Sequence, residues 1–228
     1  MSQQSNLNDQ KIALEWIRSI EGDGAKIREQ DIYPLLNEWI LEHQPTTILE
    51  LGCGQGICSS KIDLSQRNYI GLELSPLLVD RAKELYPADN KKFILGSLYE
   101  IPLENNSIEA AYSVSVIHLL SDLKKATSEL NRVLKKGAHF FMITANPDAY
   151  PLWTGLYKES RQEGIRFDGK FELKDGSFLE ETLYLYSLRE IEDAFRSQNL
   201  MIQASSTFRV TDKSKGLAQY LLIKGQCL

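Results

Sequence analysis

The chain has 228 residues, 43% of them apolar and 25% charged, which is ordinary for a globular protein and enough to bury one large core. A net charge of −5, with no basic stripe interleaved with aromatics, argues against a protein that grips a phosphate backbone, so nucleic acid is not an expected partner.

Residues 1–9 are polar and aperiodic and read as a frayed tail with no signal-peptide pattern. The spacing of Ile12, Leu14, Trp16, Ile17 and Ile20 predicts an amphipathic helix ending near Gly22-Asp23-Gly24. A second helix is expected from Asp31-Ile32-Tyr33-Pro34, with proline in its first turn and Leu35, Leu36, Trp39, Ile40 and Leu41 on a buried face. Residues 1–46 thus form a tail and cap helices ahead of a core that begins at Thr47.

Ile48, Leu49 and Leu51 mark a buried first strand, followed at once by Gly52-Cys53-Gly54-Gln55-Gly56. A glycine turn at a strand end lets backbone approach a ligand closely, because no Cβ intervenes. Ile57–Leu64 is expected as a crossover helix whose first N–H groups face that ligand. Asn68–Glu73 reads as strand two, Ser75-Pro76 as a helix start, Lys92–Leu95 as strand three and Ile108–Val116 as strand four. Ser121 caps a helix to Lys135-Lys136, stopped by Gly137, and Ala138–Thr144 is strand five. This alternation predicts an α/β fold: a doubly wound, Rossmann-like, mostly parallel seven-stranded sheet with helices on both faces.

After strand five, Asn146–Gly164 reads as a helix or helical loop. Lys170–Leu179 reads as a hairpin turning at Asp175-Gly176. A helix at Leu188–Gln198 and strands near Met201–Val210 and Ala218–Lys224 complete the sheet. Eight of the 21 aromatic side chains fall within 150–186, among them Tyr150, Trp153 and Tyr157. They suit either an inserted lid over a small, partly apolar acceptor or a satellite core beneath a hairpin.

A dinucleotide fingerprint would put its third glycine where Ile57 stands; here it falls one residue early, at Gly56. Glu50-Leu51-Gly52-Cys53-Gly54-Gln55-Gly56 instead resembles the acidic-x-Gly-x-Gly-x-Gly turn of class I S-adenosylmethionine-dependent methyltransferases. Four further stretches follow in that family's order: Glu73, Gly96-Ser97-Leu98, Tyr112–His118 and Leu134-Lys135-Lys136-Gly137-Ala138.

The resemblance implies S-adenosyl-L-methionine as cofactor and S-adenosyl-L-homocysteine as product. It implies that Gly52, Gly54 and Gly56 approach the cofactor and that Glu73 accepts from both ribose hydroxyls. Ser97, in place of the family's usual aspartate, and the backbone of Leu98 fall at the adenine, and a carbonyl near Val114 at the methionine moiety. Glu50 is open to two readings, a ligand contact or a partner of the turn's own amides. Lys26-Ile27-Arg28 ends a Gly-Asp-x-x-x-x-Arg stretch whose arginine clamps the cofactor's carboxylate in some of these enzymes, a task that suits a guanidinium fork. The expected activity is methyl transfer to an O, N or C nucleophile of a small molecule. His118 is the histidine best placed as a base, or else a packing residue. The alternatives are an NAD(P)-dependent oxidoreductase and a non-catalytic cofactor-binding module.

Cys53, Cys58 and Cys227 lack zinc-ligand spacing, so no metal is expected, and the two at the turn read as packing residues of a reducing compartment. No run is long enough to span a membrane, and a cytoplasmic location is the expectation.

Overall fold

The computed structural model describes residues 13, 14, 17, 26–173, 175–210 and 216–228; the expected tail, most of the first helix and Gly22-Asp23-Gly24 lie outside them. Five strands of the main sheet are parallel: β1 (Thr47–Leu51), β2 (Asn68–Glu73), β3 (Lys91–Leu95), β4 (Ile108–Val114) and β5 (Leu134–Ala145). Strands β6 (Tyr157–Glu163), β7 (Arg166–Glu172) and β8 (Phe178–Tyr184) form a separate antiparallel sheet. The chain then returns to the main sheet as β9 (Leu200–Val210) and β10 (Ala218–Cys227), giving the order β3-β2-β1-β4-β5-β10-β9. The order reverses between β1 and β4, and a ligand crevice is expected outside the strand ends at such a switch point.

Adjacent residues of the central strands feed opposite faces, as a period of two requires. Leu49, Phe140, Met142, Leu221 and Ile223 pack under α3 (Leu123–Val133) and α5 (Leu188–Arg196). Ile48, Phe141, Ile143 and Leu222 pack under α1 (Tyr33–His43) and α2 (Pro76–Leu85). The buried Leu36, Trp39 and Ile40 hold α1 down, each such side chain contributing about 1.5–3 kcal/mol.

Several expectations change. Ile57–Leu64 is no crossover helix; only a 3-10 turn, Ile57–Ser60, forms. Ser59 and Ser60 hydroxyls bond back to the carbonyls of Gly56 (2.7 Å) and Ile57 (2.8 Å), competing with a helical ladder. Asn37 of α1 then pins the extended chain by accepting from Asp63 N–H and donating to the Lys61 carbonyl. The cap of α3 is Asp122, which accepts from Lys125 N–H at 2.9 Å, while Ser121 pairs with Tyr99. This helix stops at Val133, and Gly137, at φ +82°, lies within β5 rather than ahead of it. Past β5 the helix α4 covers only Tyr150–Thr154. Tyr157–Glu163, charged and helix-compatible in composition, becomes edge strand β6 because β7 offers it a partner. The Asp175-Gly176 hairpin forms as expected, joining β7 to β8, with Gly176 at φ +80°.

Candidate functional site

The C-terminal ends of β1 to β5 converge on one rim. The loop after β1 carries Gly52, Gly54 and Gly56 at φ +73°, +55° and +79°, a region L side chains rarely adopt. A Cβ on Gly52 would lie 2.7 Å from Val116, and one on Gly56 would lie 2.8 Å from Phe93 and 3.0 Å from Ala82 of α2. Above Gly54 a Cβ would meet nothing within 4 Å. Two glycines therefore seat the loop against the fold, and the middle one opens onto free space.

Glu73, at the end of β2, ties that loop to the next strand. Its Oε2 accepts from Gly54 N–H at 3.0 Å, and its Oε1 accepts from Leu74 and Ser75 N–H at 2.8 and 2.9 Å. A carboxylate offers about four acceptor positions, so one remains on Oε2 beside Gly54. Burial raises the Glu73 pKa, and the three amide donors oppose that shift.

Glu50 is turned beneath the loop. It is 3% exposed and accepts from the hydroxyls of Tyr69 and Tyr112, the latter at 2.8 Å. Register explains both contacts: Glu50 pairs directly with Tyr112 and Gly71, and the Tyr69 hydroxyl occupies the space where a Gly71 Cβ would sit, 2.9 Å away. Of the two readings, a partner found within the protein fits the geometry, although the partners are tyrosines of β2 and β4 rather than the turn's amides. Burial pushes the Glu50 pKa up to about 7 against those hydrogen bonds. Cys53 and Cys58 are buried free thiols in the same layer, as expected of packing residues.

After β3, the Ser97 hydroxyl accepts from Tyr99 N–H at 3.1 Å, a turn contact that leaves the residue on the rim with Leu98 packed inward. At the end of β4, Val114 is followed by Ser115 at φ +62°, a strained conformation for a non-glycine residue, held by Ser115 N–H donating to the Ile143 carbonyl at 2.7 Å. His118, in the 3-10 turn Ile117–Leu119, has Nδ1 3.3 Å from the hydroxyl of the buried Thr144 on β5. Burial lowers its pKa to about 4, so the imidazole is neutral near pH 7.

A family model described as "Methyltransferase domain" matches residues 49–142, from the first strand through the fifth. The fold of the PH0226 protein from Pyrococcus horikoshii superposes with a TM-score of 0.74 at 16% identity, covering 92% of this chain and 93% of that one. Residues 49–142 thus match a methyltransferase domain, and the fold is that of S-adenosylmethionine-dependent methyltransferases. A geranyl diphosphate C-methyltransferase from Streptomyces coelicolor, solved with S-adenosyl-L-homocysteine, shares the fold at a TM-score of 0.61 and 18% identity, over 86% of this chain and 77% of that one. The malonyl-[acyl-carrier protein] O-methyltransferase of Yersinia pestis is 28% identical over 171 residues, 75% of this chain but only 61% of that protein's length.

The cradle fits S-adenosyl-L-methionine. Open space lies over Gly54, and Glu73 keeps an acceptor position beside it. The loop leads into a four-residue 3-10 turn and not into a helix whose N-terminus would hold a dinucleotide's pyrophosphate. Arg28 starts a π-helical turn, Arg28–Ile32, that runs into α1. Burial raises the pKa of Tyr33, Cys58 and Tyr220, and the Arg28 guanidinium opposes that rise in each, which puts its charge near the glycine loop and β10.

Tyr150 donates its hydroxyl to the Tyr186 carbonyl at 2.8 Å, and Trp153 Nε1 donates to the Gln219 carbonyl at 3.2 Å, so their polar ends are engaged in the protein. The Tyr157 hydroxyl donates to Glu181 Oε2 at 2.6 Å. Sequence reasoning missed Tyr69, Tyr112, Thr144 and Glu181. The first two could have been found by asking which residues flank a buried carboxylate across adjacent strands; nothing local marked the others.

Proposed function

We propose that this protein transfers a methyl group from S-adenosyl-L-methionine to an O, N or C nucleophile of a small molecule. The observation that carries the reading is the Gly54–Glu73 junction, where a glycine loop with open space above it is bonded to a strand-end carboxylate. In this reading the remaining Oε2 position of Glu73 accepts from a ribose hydroxyl, Ser97 and the Leu98 backbone meet the adenine, and the Val114 carbonyl and Arg28 meet the methionine portion. Glu50 supports the loop from below. The cofactor supplies an electrophilic methyl on sulfur. The chain's task is to align the acceptor, an effect that reaches about 7–11 kcal/mol in favourable systems.

His118, neutral and with Nδ1 held by Thr144, offers Nε2 to a proton leaving the acceptor. Tyr150, Trp153 and Tyr157 belong to the segment 146–186, which we read as a lid over the acceptor, with α1 closing the other side. Two relatives are named for acceptors as unlike as malonyl-[acyl-carrier protein] and geranyl diphosphate, so the shared sheet does not select the acceptor and the inserted sheet is the natural place for that choice. Among the described residues no helix is long and apolar enough to cross a membrane, which agrees with an acceptor drawn from solution.

Incubation with methyl-tritiated S-adenosylmethionine and a metabolite extract should put non-volatile label into the small-molecule fraction. Binding of the cofactor without any transfer would point to a non-catalytic module.

A further inference from the structure

The small sheet presents two unlike faces. On the solvent face, acids sit against cations: Arg166 with Asp168 at 2.9 Å, Lys170 with Glu159, and Lys158 with Glu172. The opposite face carries Phe167, Leu179 and Leu183, all buried, and between them Glu181. The small sheet adjoins the site, because β8 packs on the turn bearing His118.

Glu181 is half-buried, and the partial burial raises its pKa. Among the described residues its hydrogen-bond partner is the neutral Tyr157 hydroxyl, and no cation pairs with it. Gly169, opposite Glu181, makes the contact possible: a Cβ there would lie 2.8 Å from Tyr157 Cβ, so the ring crosses the glycine to reach the carboxylate. Phe167 and Phe171 flank that ring at 5.5 and 5.7 Å.

We propose that Glu181 and Tyr157 form the acceptor-recognition point of the lid and that the acceptor carries an amino group. The inference rests on the methyl-transfer reading and adds a substrate class to it. A carboxylate partly withdrawn from water is stabilised by a positive charge with hydrogen-bond donors, and an ammonium group supplies both. The Tyr157 ring beside the carboxylate adds cation–π attraction for the same group. A carboxylate acceptor, by contrast, would meet a like charge.

The test is a thermal-shift titration of the full chain with saturating S-adenosylhomocysteine, using the near-isosteric probes phenethylamine, 2-phenylethanol and 3-phenylpropanoate. The amine should raise Tm and the other two should not. Glu181→Gln should weaken the amine's apparent Kd by about tenfold to a hundredfold, the loss expected for a charge-assisted hydrogen bond, while the shift due to S-adenosylhomocysteine is unchanged. Tyr157→Phe should give a smaller loss of the same kind. No shift with the amine, an equal shift with the alcohol, or an amine shift that survives in Glu181→Gln overturns the proposal. Because the S-adenosylhomocysteine shift is read first and separately, its presence beside any of those results leaves the methyl-transfer reading standing; its absence sinks both.

Discussion

Replacing Glu73 by glutamine is expected to weaken S-adenosylhomocysteine binding by about tenfold to a hundredfold, with little change in the fold. The carboxylate accepts from three backbone amides and keeps one position on Oε2 beside Gly54. Glutamine has only one acceptor oxygen. If its amide nitrogen takes the Oε2 position, two donors face each other at Gly54; if it takes the Oε1 position, the Leu74 and Ser75 amides lose their acceptor. Either way the ribose loses a charge-assisted bond of about 1.5–3 kcal/mol, which sets the size of the effect. Alanine is a poorer test, because it strips the acceptor from all three amides and disturbs the loop as well as the ligand. Calorimetric titration of wild type and Glu73→Gln measures the difference, and equal affinities would remove Glu73 from the cofactor site.

The second large effect is on stability and comes from Glu50. Its pKa lies near 4.5 in the unfolded chain and is raised to about 7 by burial in the fold. Between those values the folded state binds the proton that the unfolded state has released. Stability contributed by the protonated form is therefore fully present below about pH 4.5 and is lost as pH rises through 7. A shift of this size corresponds to about 3 kcal/mol as an upper limit. Glu50→Gln keeps an oxygen for the Tyr69 and Tyr112 hydroxyls and cannot ionise. Denaturant unfolding of both proteins at pH 5 and pH 8 should show wild type losing stability relative to the variant by up to that amount. Parallel pH profiles would mean that Glu50 stays ionised in the fold throughout.

These two carboxylates show how much the sequence carried. The alternation from Thr47 to Thr144 was enough for the parallel sheet, since each strand is short, apolar and followed by a turn signal. Glu73 was legible because its role depends on order along the chain: a strand end, 23 positions after Glu50. The surroundings of Glu50 were not, because Tyr69 and Tyr112 lie on different strands and meet it only through register. Ile57–Leu64 has helical composition, yet two serine back-bonds and the Asn37 contacts hold it otherwise. Tyr157–Glu163 failed for a related reason, since an edge strand's identity rests with its partner. Glu181 looked like one acid among many until the second sheet gave it an inner face.

The central claim, that the turn from Gly52 to Gly56 with Glu73 holds S-adenosylmethionine, is tested most directly by calorimetric titration of the unmodified chain with S-adenosylhomocysteine and, separately, with NAD. Saturable one-to-one binding of S-adenosylhomocysteine with no heat from NAD is the expected result. Binding of NAD alone would contradict the account.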